Sequence, residues 1–250
     1  MTVGSLFSGI GGFDLGLERA GFTIKWQVEN DPYCNRVLGK HWPDVVRYGD
    51  IRDVDWGTVE PVDLVCGGFP CQDLSFSGKR AGITGERSGL WSEYVRCICT
   101  LRPRYIFVEN VPGLLANAAM GRVLGDLAES GYDAEWRVLS AGQFGAPMLR
   151  ERVWILAYSN GNGLETNADE KILRLSPHEA STKRHVSAVG CQEQWIGPRP
   201  IGARPMGMDN GIPSDVDRLR GLGNAVVPQI VTWIGQRILG HEKQNRLRDD

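Results

Sequence analysis

"VGSLFSGIGGFDLGLERAG", residues 3–21, changes character twice. Val3 to Phe7 form a short apolar run that reads as a strand. Gly9, Gly11 and Gly12 then read as a loop. Phe13, Leu17 and Ala20 recur at helical spacing, and Gly21 supplies the stop. Strand, glycine loop and helix in succession form the repeating unit of an α/β sheet.

The alternation continues outward from that stretch. Residues 22–29 read as a second strand and 32–42 as a helix with Pro32 in its first turn. "VDLVCGGF" (62–69) is a buried strand closed by two glycines. Helices follow at 90–101 and 119–131, and strands at 105–110 and 151–158. Strands alternating with helices need crossover connections, so the expected sheet is largely parallel. From Ser159 to about Arg218 the chain is rich in Gly, Asn, Ser, Pro and charge, with little periodicity. Regularity returns at 221–239, where Val226, Ile230, Ile234 and Ile238 make one apolar face of a closing helix, and residues 240–250 read as a frayed tail.

The glycine loop admits two readings. Glycines let backbone approach a ligand and aim helix N-terminal amides at it, but they also make tight structural turns. Position 14 is Asp, so the G-x-G-x-x-G dinucleotide pattern is not met, and no Gly-Lys-Ser/Thr follows for a P-loop. That argues against a nicotinamide oxidoreductase. Glu29, at the end of the second strand, is placed to accept hydrogen bonds from ribose hydroxyls. A ligand with a ribose and no phosphate to grip fits S-adenosylmethionine.

The stretch "GGFPCQDLSFSGKRAG" (67–82) raises a different question, because it puts Cys71 after a proline on a polar loop. Packing explains such a thiol poorly, and it is a candidate nucleophile. The six cysteines form no C-x-x-C pair, which supports neither a zinc site nor a disulfide framework. Cys66, Cys97 and Cys99 read as core residues. With 42% hydrophobic and 23% charged residues the composition is that of an ordinary globular protein. No apolar run is long enough to span a membrane, and the N-terminus lacks a signal-peptide pattern, so the expected location is the cytoplasm. The net charge is −2, divided as −5 over residues 1–136 and +3 over 137–250. A mildly basic second half suits a phosphate backbone or is solvated surface charge.

Taken in order, "FSGIGGFD" (7–14), "GDI" (49–51), "GGFPCQDLSFSGKRAG", "ENVPGLL" (109–115), "RERVWILA" (150–157) and "GLGNAVVPQ" (221–229) resemble the DNA cytosine-5 methyltransferase family, in a compact bacterial or phage form. The resemblance covers residues 3–157 and about 205–239. It implies a Rossmann-like, S-adenosylmethionine-dependent α/β fold: a mostly parallel sheet with helices on both faces, plus a small irregular recognition segment. The expected units are 1–157 (catalytic and cofactor-binding), 158–205 (target recognition), 206–239 (return to the catalytic unit) and 240–250 (tail).

By that resemblance Cys71 adds to cytosine C6, Glu109 assists at N3, Arg152 grips O2, and Arg150 supports the site. Without it, Glu109 reads equally as a helix cap and the arginines as a surface pair. Phe7, Gly9, Ile10, Gly11 and Gly12 would line the methionine side of the cofactor, Glu29 its ribose, and Asp50 with Ile51 its adenine. Gly68, Pro70 and Leu90 would border the sulfonium, and Asn224 with Ala225 the carboxylate. Residues 72–89 carry four glycines and three basic residues, a composition suited to a lid over DNA. In it Gln72, Ser75 and Ser77 would hold a flipped base, and Lys79, Arg80 and Arg87 would contact phosphates.

Two features depart from the family pattern. Met148 stands where a glutamine is usual, two residues before Arg150. The recognition segment is also short, with Lys171, Arg174, Lys183, Arg184, Arg199 and Arg204 as its basic residues. It orders on DNA, reads a short site, or is a remnant. Duplex DNA is the expected partner of a monomeric enzyme, with a cognate restriction endonuclease as a further partner. The alternatives are an RNA (tRNA) cytosine-5 methyltransferase and a non-catalytic cofactor-binding DNA module; the intact set Cys71, Glu109 and Arg152 argues against the second.

Overall fold

The structure is a computed structural model that describes residues 1–70, 89–116, 118–159, 172–173 and 223–249, with side chains described as far as 244. Cys71, Gln72, Ser75, Ser77, Lys79, Arg80 and Arg87 lie outside the described residues, as do Lys171, Arg174, Lys183, Arg184, Arg199 and Arg204.

The opening stretch folds as read. Strand β1 (Thr2–Leu6) leads through the glycine loop into α1 (Gly12–Ala20). Gly21 ends that helix at φ 105°, its N–H turned back to the carbonyls of Leu17 and Glu18. Strand β2 (Thr23–Val28) precedes α2 (Pro32–His41), where Asp31 caps the amides of Tyr33 and Cys34. The short β3 (Val46–Tyr48), β4 (Leu64–Gly67), α3 (Gly89–Leu101), β5 (Tyr105–Asn110) and α4 (Ala118–Glu129) follow. Then come β6 (Tyr132–Ser140), β7 (Glu151–Ser159) and α5 (Pro228–Asp249).

All seven strands form one sheet in the order β3-β2-β1-β4-β5-β7-β6. The first five are mutually parallel, while β7 runs antiparallel to both β5 and β6. Helices cover both faces. Trp91, Tyr94 and Ile98 of α3 and Val123 and Leu127 of α4 belong to one buried cluster. Phe13 and Leu17 of α1 and Ile230, Ile234 and Ile238 of α5 belong to the other. The three isoleucines are fully buried, each contributing about 2 kcal/mol of transfer free energy.

Small residues set the approach of α5 to α1. A Cβ on Gly16 would lie 2.5 Å from that of Val231, and one on Gly235 would lie 2.8 Å from that of Ala20. With no such atoms present the helices pack backbone to backbone, and the Thr232 hydroxyl donates to the Gly16 carbonyl at 3.0 Å. Among the described residues no helix is long and apolar enough to cross a membrane.

Three boundaries differ from the sequence reading. The closing helix starts at Pro228 rather than 221, and the expected tail is helical as far as Asp249. The reason lies at Glu242, which is buried and held by Arg104 and Tyr105, so the helix is pinned beyond residue 239. Strand β7 runs through Ser159, one residue past the expected end. Ile172 and Leu173, expected within an irregular segment, are buried in the core cluster of α1 and α5.

Candidate active site

The order of the strands fixes where a ligand can sit. From β1 the chain winds outward to β2 and β3 on one side, and from β4 to β5 on the other. This reversal leaves a crevice at the carboxyl ends of β1 and β4, the usual binding place in open α/β sheets. The described parts of all six motifs converge there.

The glycine loop forms one wall. Phe7 adopts φ 51° and Gly9 φ 56°, both left-handed. A bulky residue held there stores roughly 1–2 kcal/mol of strain. The glycines do different work: a Cβ on Gly12 would lie 2.7 Å from the Val226 carbonyl oxygen, whereas beside Gly9 the nearest atom is 4.0 Å away. Gly12 admits the returning chain, and Gly9 leaves the wall open for a ligand. Glu29 straps the loop, its Oε2 accepting from the Gly9 amide at 2.7 Å and its Oε1 from the Asp31 amide at 2.8 Å. Each oxygen keeps a lone pair for a ribose hydroxyl. The wall carries no lysine for a phosphate, so these residues fit a nucleoside-bearing ligand.

Asp50 caps the turn at Ile51–Asp53 and is gripped by Arg52 through Nε at 2.9 Å and Nη2 at 2.6 Å. That guanidinium holds the Asp50 carboxyl down at about 2. Ile51 is 3% exposed and committed to the core, so only its backbone is left for an adenine. Leu90, at the start of α3, is half-buried against the same core cluster.

The opposite wall carries the charged groups. Glu109, on the last turn of strand β5, sits 8% exposed with its Oε1 2.9 Å from Arg152 Nε at the start of β7. Burial raises the Glu109 pKa against the opposing pull of Arg152 and Arg150. Gly68 makes room for it, since a Cβ there would lie 3.0 Å from Glu109 Oε2. Arg150 works differently: its Nη2 donates to the carbonyls of Gly223 and Ala225, both at 2.8 Å. Burial lowers the Arg150 pKa, and the side chain straps the returning segment to the site. Asn224 is exposed beside it. Met148, in the place of the usual glutamine, packs its side chain against the core.

Asn110 is a residue that sequence reasoning passed over. Its Nδ2 donates to the Phe69 carbonyl at 3.2 Å while its Oδ1 accepts from the Val111 amide at 2.9 Å. It thereby fixes the loop after β4 to the end of β5, two residues before Cys71. The signal was an asparagine closing a fully apolar strand directly after a glutamate. Phe69 is itself seated on Trp91, ring centroids 4.9 Å apart, and Pro70 is exposed. Cys66 and Cys97 are buried and their thiols are pushed well up by desolvation, which removes them as nucleophiles, whereas Cys99, expected in the core, is exposed on α3.

This arrangement can bind a nucleoside-bearing ligand against the glycine loop and present a carboxyl and a guanidinium to a second reactant. The family described as C-5 cytosine-specific DNA methylase matches residues 1–190. The chain is 42% identical over 164 residues to the type II methyltransferase M2.BsuMI of Bacillus subtilis, covering 63% of this chain and 42% of that protein. It is 37% identical over 173 residues to the type II methyltransferase M.AquIA of Picosynechococcus, covering 61% and 69%. Among solved structures, the Entamoeba histolytica methyltransferase EhMeth shares the fold with a TM-score of 0.56 at 22% identity, over 63% of this chain and 52% of that one. The chain spans less than half the length of the first curated relatives it matches. On the extent of the family match, the chain belongs to the C-5 cytosine-specific DNA methylase family.

Proposed function

We propose that the protein transfers a methyl group from S-adenosylmethionine to C5 of cytosine in duplex DNA. The observation that carries this reading is the Glu109–Arg152 pair, buried at the crevice beside the loop that leads into Cys71. S-adenosylmethionine supplies an electrophilic methyl group on a sulfonium, held by the glycine loop, Glu29 and the backbone at Asp50–Ile51.

Cytosine C5 is too weak a nucleophile to take that methyl unaided. The Cys71 thiolate adds to C6, and electron density moves toward N3 and C5. Glu109, whose pKa burial raises, donates to N3 in its protonated form and relieves the developing charge. Arg152 donates to O2 and fixes the ring in register with Glu109. C5 would then take the methyl carbon as its bond to the sulfonium sulfur breaks, that electron pair staying on sulfur as a neutral thioether. A base removes the C5 proton, and the electrons of that C–H bond re-form the ring double bond as Cys71 leaves. The target base must be outside the helical stack for these contacts, which assigns a flipped cytosine to the crevice. Gln72, Ser75 and Ser77 would hold it there, with Lys79, Arg80 and Arg87 on phosphates. The same reading extends to a monomer acting in the cytoplasm, with a cognate restriction endonuclease as its companion, as the type II names of its relatives suggest.

The test is transfer of labelled methyl from S-adenosylmethionine to duplex DNA and, in parallel, to tRNA. Label in DNA that is lost in Cys71→Ala is the expected result. Label in tRNA alone would overturn the DNA assignment.

A further inference from the structure

At the outer edge of the sheet, three charged side chains converge on two consecutive residues. Glu135 of β6 is 6% exposed, its Oε1 accepting from the Ile172 amide at 2.9 Å and its Oε2 from the Leu173 amide at 3.2 Å. Arg237 of α5 donates through Nε to the Ile172 carbonyl at 2.6 Å, and Arg137 of β6 donates through Nη1 to the Leu173 carbonyl at 3.2 Å. Every backbone polar group of the dipeptide is thus bonded to a charged side chain. The Ile172 and Leu173 side chains are 5% and 2% exposed in the core. A buried carboxylate and two guanidiniums are costly to desolvate, and β6 is an edge strand where inward charges are unusual. The dipeptide offsets that cost.

The position of this clamp gives it a purpose. Strand β7 begins at the site with Arg152 and ends at Ser159, so the segment that follows leaves the sheet roughly 23 Å from the catalytic pair. The chain is back at the site by Gly223, whose carbonyl Arg150 holds. Ser159 lies opposite Tyr132, and Glu135 lies opposite Leu156, three residues back along the hairpin toward Arg152. The clamp therefore catches the chain about 10 Å into its return. The geometry points to Glu135 as a positioning residue that anchors Ile172–Leu173, between β7 and α5, to the sheet, and on which DNA binding depends. The DNA half of this statement rests on the proposed function; the clamp does not.

Trypsin separates the two. The bond Lys171–Ile172 carries the amide that Glu135 holds, and a clamped bond resists the extended pose a protease needs. In the full chain under native conditions, Glu135→Ala should be cut there at least about tenfold faster than wild type, since hydrogen bonds to a charged group are lost. Glu135→Gln keeps one acceptor and should fall between them. The KM for plasmid DNA should rise about tenfold in Glu135→Ala, with kcat and the calorimetric affinity for S-adenosylmethionine unchanged. Bound cofactor at wild-type affinity also shows that the variants are folded; if Glu135→Ala does not fold, the same readings are taken on Glu135→Gln. Equal cleavage rates in wild type and both variants would overturn the clamp. Faster cleavage with an unchanged KM for DNA would overturn the positioning role. If the wild-type chain methylates no DNA, the proposed function fails, and cleavage at Lys171–Ile172 still decides the clamp.

Discussion

Strand β5 carries a glutamate–arginine pair at each end, and the two are built for different ends. At its amino end Glu242 of α5 accepts from the Tyr105 hydroxyl at 2.7 Å and pairs with Arg104 Nη1 at 2.8 Å, with Arg104 Nη2 a further donor at 2.9 Å. Burial and that glutamate push the Tyr105 hydroxyl far above the usual phenol range. At the carboxyl end Glu109 receives one nitrogen of Arg152 and stands beside a glycine chosen to leave it space. A glutamate surrounded by donors locks a helix to a sheet. A buried glutamate with a single guanidinium contact is eased toward protonation by its burial.

Swapping each glutamate for its amide would break that contrast most directly. Glu109→Gln should lower kcat for methyl transfer by about 10²–10⁴-fold, the range for a lost general acid, with the melting temperature unchanged or raised. The pH profile sharpens the point. Since burial raises the Glu109 pKa, the protonated form persists above the ordinary glutamate range, and kcat should fall as pH rises through the shifted value. That limb should vanish in the amide variant.

Beneath the glycine loop, Asp14 is fully buried, accepting from Ser5 Oγ at 3.1 Å and Gln27 Nε2 at 2.8 Å. Burial raises its pKa from 3.8 to about 6. The folded state therefore binds this proton more tightly than the unfolded chain, and the stability so gained at low pH is lost as pH rises between those values. Relative to Asp14→Asn, the wild type should lose about 2 kcal/mol of unfolding free energy between pH 4 and pH 7, measured by urea titration at each pH. A flat difference would show that the carboxyl titrates normally.

At the closed end, Glu242→Gln should cost about 2 kcal/mol of stability in the same titration while kcat per folded molecule stays as in wild type. A change in kcat would show that the two ends of β5 are coupled. The smallest effect is expected at Arg150. Lysine cannot bridge the Gly223 and Ala225 carbonyls from one planar head, so Arg150→Lys should weaken S-adenosylmethionine binding about tenfold by calorimetry.

The contrast between the two ends also explains what could be read from sequence. Local periodicity gave α1, α2 and α3 to within a residue, because each presents one apolar face, and the unbroken apolar run Tyr105–Val108 gave β5. It missed β6, whose run "YDAEWRVLS" is broken by Glu135 and Arg137. Those charges turn inward to the Ile172–Leu173 dipeptide, a partner distant in sequence. It missed β3, three residues long and mostly half-exposed. The reversed direction of β7 leaves no trace in periodicity, since an apolar run reads alike either way. The tail was misread for the reason β6 was: Glu242 looks like a solvated residue until Tyr105 and Arg104 are placed against it. Among the described residues the motifs named those that meet at the carboxyl ends of β1, β4 and β5, but not how Glu29 and Asp50 spend their oxygens on Gly9, Asp31 and Arg52.

The seating of Gly12 under the Val226 carbonyl sets a timetable. The segment that closes over the glycine loop leaves the ribosome more than two hundred residues after it. During synthesis the sheet can pair from β1 to β7 while the wall at Gly12 stays bare and Arg150 lacks the carbonyls it will grip. The nascent chain thus has its fold well before it has its pocket. Contacts of such sequence separation form slowly, so the pocket is a late product of folding. The strands come early and the binding site only when residues 223–238 arrive.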